Sequence, residues 1–225
     1  FAEDFFERRP NPHVPLIDEE LGMAGICLAP EQGQLFVTFS YHDAGGVLRN
    51  NIVRFQSSPE TFSLAPIASV DFTEVFDAYR SIASHQIGPC QVEDSLLYVG
   101  VADGKQSGQS QLLDSVLGKV LRMDLDGKPV PENPFYQDDN IENAWNYIWA
   151  SGLRNPFGLD IVGGRVFVAD NGGVIDRFLR LEEGGNYLWD GTDRSIGASA
   201  DAVISPARGV AQTEHYPSAG SRFPE

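Results

Sequence analysis

The sequence predicts an all-β chain built as an arc of a β-propeller, and three observations carry that prediction. Short apolar stretches rich in β-branched and aromatic residues are bounded throughout by Gly, Pro and Asp. Three segments can be laid on one another: GICLAPEQGQLFVTFS (Gly25–Ser40), GPCQVEDSLLYVGVAD (Gly88–Asp103) and PFGLDIVGGRVFVADN (Pro156–Asn171). Each holds a short strand, a polar turn and an aromatic-centred triplet: Leu35-Phe36-Val37, Leu97-Tyr98-Val99 or Val166-Phe167-Val168. The triplets start 62 residues apart from Leu35 to Leu97, and 69 apart from Leu97 to Val166. Behind each comes a second strand with an Arg among apolar residues: Ile52-Val53-Arg54-Phe55, Val120-Leu121-Arg122-Met123 and Phe178-Leu179-Arg180-Leu181. A multi-stranded unit that recurs in this way cannot bury both sheet faces alone and must stack on its neighbours, as propeller blades do.

Taken in order, the repeats divide a single domain over 1–225 into units at about 20–80, 81–147 and 148–203, with a further blade starting in 204–225. That is about three to four blades, where closed propellers hold roughly 4–8. The chain therefore reads as part of a ring, completed by missing blades or by a protein partner, because an open arc leaves apolar sheet faces uncovered. Phe1–Pro15, with Pro10, Pro12 and Pro15, reads as an extended lead-in. Thr73–Ser84 is expected as a short helix or turn, and Gly104–Gly118 as an exposed Gly/Ser/Gln loop. Pro129–Tyr147 is a Pro- and Asn-rich connector with Trp145 and Trp149 close by, and Gly191–Val203 reads as a polar loop.

Composition narrows the class of function. The 225 residues suffice for a large core, and 42% hydrophobic with 21% charged residues is ordinary for a globular protein. A formal charge of −16 argues against nucleic acid and against an anionic membrane surface, both of which need clustered Lys and Arg. It fits an extracytoplasmic or Ca2+-binding protein, and also a plain solvated surface. No run of about 18 apolar residues exists to span a membrane. The chain begins Phe1-Ala2-Glu3-Asp4 with no basic and apolar leader, so it reads as a processed product or part of a longer chain. Phosphate-binding Gly loops and a GxSxG elbow are both missing from the sequence. Cys27 and Cys90 have no zinc-ligand spacing and are either two thiols or one disulfide. Each stands two residues after a Gly of the repeat, Gly25 or Gly88. Equivalent residues of neighbouring blades lie farther apart than the roughly 7 Å a disulfide tolerates, so the expectation is two buried free thiols.

The stretch Ser151–Gly173, SGLRNPFGLDIVGGRVFVADNGG, is the candidate site. Arg154 and Asn155 precede one strand, and Asp170-Asn171-Gly172-Gly173 follows the next, so both ends point into one space. The competing reading is a buried structural arginine beside plain glycine turns.

The set HQIG (His85–Gly88), GKVLRMDLDGKPVPENPF (Gly118–Phe135), IWASGLRNPFGL (Ile148–Leu159) and EEGGNYLW (Glu182–Trp189) resembles one family in order along the chain. That family is the soluble pyrroloquinoline-quinone (PQQ) dependent aldose sugar and glucose dehydrogenases, with their Hedgehog-interacting-protein-like relatives. The resemblance implies a six-bladed propeller about twice this length, in a periplasmic or secreted protein. It implies that His85 is the general base toward the sugar C1 hydroxyl, using aldose sugar and an electron acceptor as reaction partners. It puts Arg154 and Asn155 by the quinone oxygens, where a fixed cation stabilises charge on reduction. It implies a Ca2+ held by main-chain carbonyls at Gly172 and Gly173. His85, Arg154 and Asn155 are accordingly expected to converge at one end of the channel.

The chain departs from the family pattern in several places. Glu20 stands where a cofactor-contacting Gln is usual, and Ser84 where an Asp precedes the base. The family's His-x-Gly-Gly is His-Gln-Ile-Gly here, with Ile87 in the third place. An Asp-Glu pair that ligates a second, structural Ca2+ is replaced by Asp176-Arg177. The alternative function is a non-catalytic propeller acting as a binding or accessory subunit.

Overall fold

The structure, a computed structural model, describes residues 22–42, 48–57, 71–76 and 84–215. The described residues form three antiparallel four-stranded sheets, each with its strands in chain order. The first sheet comprises β1 (Gly22–Ala29), β2 (Gln34–His42), β3 (Leu48–Gln56) and β4 (Asp71–Phe76). The second comprises β5 (Ile87–Glu93), β6 (Leu96–Val101), β7 (Lys119–Asp124) and β8 (Ile148–Ser151). The third comprises β9 (Pro156–Val162), β10 (Arg165–Asp170), β11 (Asp176–Leu181) and β12 (Ala202–Ile204). This is three blades of a β-propeller.

The turns explain the meander. Glu93 pairs with Leu96 and Val162 with Arg165, leaving the two-residue loops Asp94-Ser95 and Gly163-Gly164. All four loop residues have positive φ, 50° and 61° in the first and 56° and 74° in the second. That is the hairpin turn whose twist matches that of the strands it joins. The repeat holds residue by residue: Phe36 lies opposite Arg54, Tyr98 opposite Arg122 and Phe167 opposite Arg180.

The first strands β1, β5 and β9 pack beside one another. One glycine in each makes the approach possible. A methyl group on Gly25 would lie 3.0 Å from Pro89 Cα, and on Gly88 2.8 Å from the Pro156 carbonyl oxygen. On Gly158 it would lie 2.9 Å from the Thr213 nitrogen, so residues near 213 lie against β9 as β9 lies against β5. Between the sheets, the period of two sorts side chains. Phe36 and Ile52 of the first sheet meet Leu97, Val99, Leu121 and Met123 of the second. Tyr98 and Val120, on the opposite face of the second sheet, meet Leu159, Val166, Val168 and Leu179 of the third. The far face of the first sheet carries Phe39, Val53 and Phe55, with Met23, Ile26 and Leu28 exposed.

The expectation of free thiols is overturned: Cys27 and Cys90 form a disulfide, Cα–Cα 5.7 Å. The two residues are not equivalent after all. Cys27 lies opposite Phe36, the centre of its triplet, whereas Cys90 lies opposite Val99, one residue past the centre. The pairing of β5 with β6 shifts between Ile87 and Cys90, a bulge of one residue. A one-residue shift turns a side chain to the other face. Cys90 therefore faces back to the first sheet while Cys27 faces forward to the second. True equivalents face the same way round the ring and do not meet.

Two further expectations change. Thr73–Phe76 belongs to β4, held by the edge of β3 with Thr73 opposite Arg54, and is not helical. Gly191–Val203 is not all loop. It holds a short helix, Asp193–Ala198, capped by the Thr192 side chain on the Ser195 amide, and most of β12. Ile204 closes the third sheet, opposite Asp176. Glu20 and Phe1–Pro15 lie outside the described residues. Among the described residues no helix is long and apolar enough to cross a membrane.

Candidate functional site

Starts of first strands and ends of second strands fall at one end of these sheets, and the backbone ties them together there. His85 lies just ahead of β5 with φ 58°, a left-handed conformation rare for a residue with a side chain. Its carbonyl accepts from the Gly104 amide at 3.1 Å. The Asp103 amide, just after β6, donates to the Arg154 carbonyl at 2.8 Å. The Asn171 amide, just after β10, donates to the Asn155 carbonyl at 2.9 Å. His85, Arg154, Asn155 and the Asn171–Gly173 turn are thereby linked across two blades.

The side chains continue the link. Asp103 is buried between two partners: its Oδ1 lies 2.5 Å from His85 Nδ1, and its Oδ2 accepts from Trp189 Nε1 at 2.7 Å. Burial raises the Asp103 pKa. Hydrogen bonds from His85 and Trp189, the His85 charge and the Lys105 amide outweigh this and hold it below its ordinary 3.8. An ionised carboxylate only accepts, so His85 donates from Nδ1 in this contact. The Arg154 guanidinium stands 5.6 Å above the Trp189 ring and donates to the Asn171 carbonyl at 2.5 Å. A cation above an indole face keeps its charge while losing part of its freedom.

Beneath this layer lies a buried ion pair. Asp170 and Arg177, both with fully buried side chains, meet at 2.8 Å. Asp170 also accepts from the Asn155 amide at 2.6 Å and from the Arg154 amide at 3.1 Å. Asp176, fully buried, accepts from the amides of Gly172 at 3.0 Å, Arg208 at 2.6 Å and Gly209 at 2.9 Å. Arg177 thus occupies a structural ion pair at the position where the resemblance implies a metal-ligating Glu.

The donor set suits the groups that the resemblance implies. The Gly172 and Gly173 carbonyls accept no hydrogen bond among the described residues, and Asn171 Oδ1 is buried without a partner. Uncommitted neutral oxygens are the hard ligands that Ca2+ takes. Among the described residues no group of three or more His, Cys, Asp or Glu stands together as a metal-binding cluster. The Arg154 charge suits an anionic quinone. Asn155 is buried, and its side-chain amide makes no hydrogen bond among the described residues.

Asp103 and Trp189 are absent from the set expected on sequence, and Asp170 entered it only as part of the turn. A signal for the two aspartates exists: Val-Ala-Asp recurs at Val101–Asp103 and Val168–Asp170, at the end of each second strand. Trp189 has no such signal, being 86 residues from Asp103. Conversely, the conspicuous GKVLRMDLDGKPVPENPF segment is scaffold. Arg122 Nε donates to Asn133 Oδ1 at 2.7 Å, and Asn133 Nδ2 returns to the Arg122 carbonyl at 2.8 Å. The Lys119 ammonium donates to the carbonyls of Gln109, Ser110 and Leu117, clamping the loop to its strand.

Comparison with known proteins finds relatives that share the fold. The PQQ-bound aldose sugar dehydrogenase of Streptomyces coelicolor matches with TM-score 0.66 and 26% identity over 87% of this chain and 56% of that one. An oxidoreductase of Thermus thermophilus described as a glucose dehydrogenase matches with TM-score 0.63 and 26% identity, over 78% and 53%. In sequence, the HIPL1 protein of Arabidopsis thaliana is 31% identical over 140 residues, 51% of this chain and 20% of its own length. An uncharacterized Synechocystis protein is 31% identical over 127 residues, 51% of this chain and 30% of its own. The chain thus spans about half of the structural relatives and less than a third of the curated ones. The family model for glucose/sorbosone dehydrogenases matches residues 10–216. On the strength of that match and of the shared propeller arc, the chain belongs to the glucose/sorbosone dehydrogenase family.

Proposed function

We propose that the protein is a quinoprotein that oxidises the C1 hydroxyl of aldose sugars, with PQQ as hydride acceptor and Ca2+ on the cofactor. The observation that carries this reading is the Asp103–His85 pair, buried at the same end of the blades as Arg154. Bound PQQ would supply the electrophilic quinone that accepts the hydride. The chain's own residues supply the rest. Asp103 orients the imidazole and leaves Nε2 basic, so that His85 takes the proton of the C1 hydroxyl. Arg154, fixed over Trp189, stabilises negative charge that develops on the acceptor. Asn155 presents its amide beside Arg154, and the Gly172 and Gly173 carbonyls would hold the cation.

The disulfide supports a periplasmic or secreted location, since disulfides persist in oxidising compartments. The reaction partners are then an aldose and an electron acceptor, and protein partners or further blades of the ring complete the site.

Titration of the purified protein with PQQ and Ca2+, followed by absorbance and by aldose oxidation with an artificial acceptor, tests the reading. His85→Ala is expected to remove roughly 10²–10⁴-fold of the oxidation while PQQ binding persists. Arg154→Ala should impair both. A second reading, a non-catalytic binding or accessory propeller, draws on Glu20, Ser84, Ile87 and Arg177. Wild-type protein that neither binds PQQ nor oxidises any aldose would establish it.

A further inference from the structure

We propose that Arg177 is the positioning residue of the candidate site: its buried guanidinium ties the segments that carry Arg154, Asn155 and Trp189 into one geometry. Arg177 projects from β11 with no solvent exposure, and each of its five N–H groups reaches an oxygen. Nε and Nη2 donate to Asp170 Oδ2 at 2.9 and 2.8 Å. Nη2 also donates to the Gly152 carbonyl at 3.1 Å. Nη1 donates to the Tyr187 carbonyl at 2.7 Å and to Ser199 Oγ at 2.8 Å.

These partners are not scattered. Gly152 stands two residues before Arg154, Asp170 directly before Asn171, and Tyr187 two residues before Trp189. Asp170, held by Arg177 on one side, accepts the Arg154 and Asn155 amides on the other. The Gly152 carbonyl, held by Arg177, also accepts the Trp189 amide at 3.0 Å. Gly152 has φ 77°, and a methyl group there would lie 2.2 Å from Asn186 Oδ1 and 2.5 Å from the Leu188 nitrogen. The segments around 152–155 and 186–189 thus interlock, with the guanidinium joining them from below. A buried ion pair is weak evidence of stabilisation for its own sake, because apolar residues fill such space as well. What an apolar residue cannot do is orient four separate oxygens. Lysine would neutralise Asp170 but lacks the planar fork of donors.

The positioning stands on these contacts alone; its value for cofactor binding rests on the function proposed above. The test uses Arg177→Lys, which keeps the charge, in the full-length protein. Backbone amide exchange at Arg154, Asn155 and Trp189 is compared with that in β6 and β7. About tenfold or greater acceleration is expected at the three site amides, with β6 and β7 unchanged. Unchanged exchange at those amides would overturn the proposal, and so would a uniform rise across all three sheets.

A second arm combines Arg177→Lys with Arg154→Ala in a cycle read by PQQ titration in the presence of Ca2+. Arg177→Lys alone should weaken binding about tenfold and have little further effect once Arg154 is gone, as for residues acting through one another. Losses that simply multiply would mark Arg177 as a general stabiliser and overturn the positioning role. Should wild-type protein bind no PQQ, the function reading falls and the exchange measurement decides the role of Arg177.

Discussion

The two inter-blade interfaces are built by different means. Between the first and second blades the contact is mainly apolar and covalent: Phe36, Ile52, Leu97 and Val99 pack around the Cys27–Cys90 disulfide, and the Thr38 hydroxyl donates to the Gly88 carbonyl at 2.7 Å. Between the second and third blades an apolar layer of Tyr98, Leu159 and Val168 is topped by Asp103, His85 and Trp189, with the Asp170–Arg177 pair below. Among the described residues no fully buried ion pair spans the first interface; the Arg54–Asp126 contact there leaves the Asp126 side chain largely exposed. The contrast teaches where this fold places chemistry. An interface closed mainly by burial and a cross-link needs few oriented polar groups. A site needs them, and each must be satisfied by another or it becomes a liability.

The largest effect expected from breaking this difference comes from Asp170→Ala. It strands a fully buried guanidinium and frees two amides, and should destabilise by about 3–5 kcal/mol in denaturant unfolding. A loss below about 1 kcal/mol would mean that the third blade relaxes around the charge. Next is Cys27→Ala with Cys90→Ala, which opens a link between residues 63 apart. About 2–4 kcal/mol should be lost, with amide exchange at Arg154 and Asn155 unaltered. Faster exchange there would show that the two interfaces act as one cooperative unit.

A smaller effect sharpens the comparison through pH. Asp103 has a folded pKa below its ordinary 3.8, so its contribution is fully present above that value. The contribution is lost as pH falls through the depressed folded pKa. The stability advantage of wild type over Asp103→Asn should therefore hold at neutral pH and shrink in strong acid, as read by unfolding midpoints. An advantage that grows below pH 3.8 would contradict an ionised Asp103. The smallest effect is expected at the outer rim. Arg54 of the first blade reaches Asp126 of the second at 2.5 Å, but the Asp126 side chain is 65% exposed. Arg54→Ala should change stability by no more than about 1 kcal/mol.

The legible part of the candidate site was its address. Placing Arg154-Asn155 before one strand and Gly172-Gly173 after the next needs only strand order. Asp103 and Trp189 were not legible, because the contact between them joins residues 86 apart whose separation in space depends on how two blades stack. Arg177 was legible as a departure from a metal ligand but not as a hub, since its partners come from four separated segments.

The same division runs through the fold. Local pattern determined the inner three strands of each blade, their hairpin turns and the repeat itself, because alternation and turn residues act within a few positions. The outermost strands β4, β8 and β12 escaped notice. They run only 6, 4 and 3 residues and take their conformation from the edge they pair with. The disulfide was decided last of all. A bulge of one residue in β5 turned Cys90 to the facing blade, and only packed sheets show which way a residue beside a bulge points.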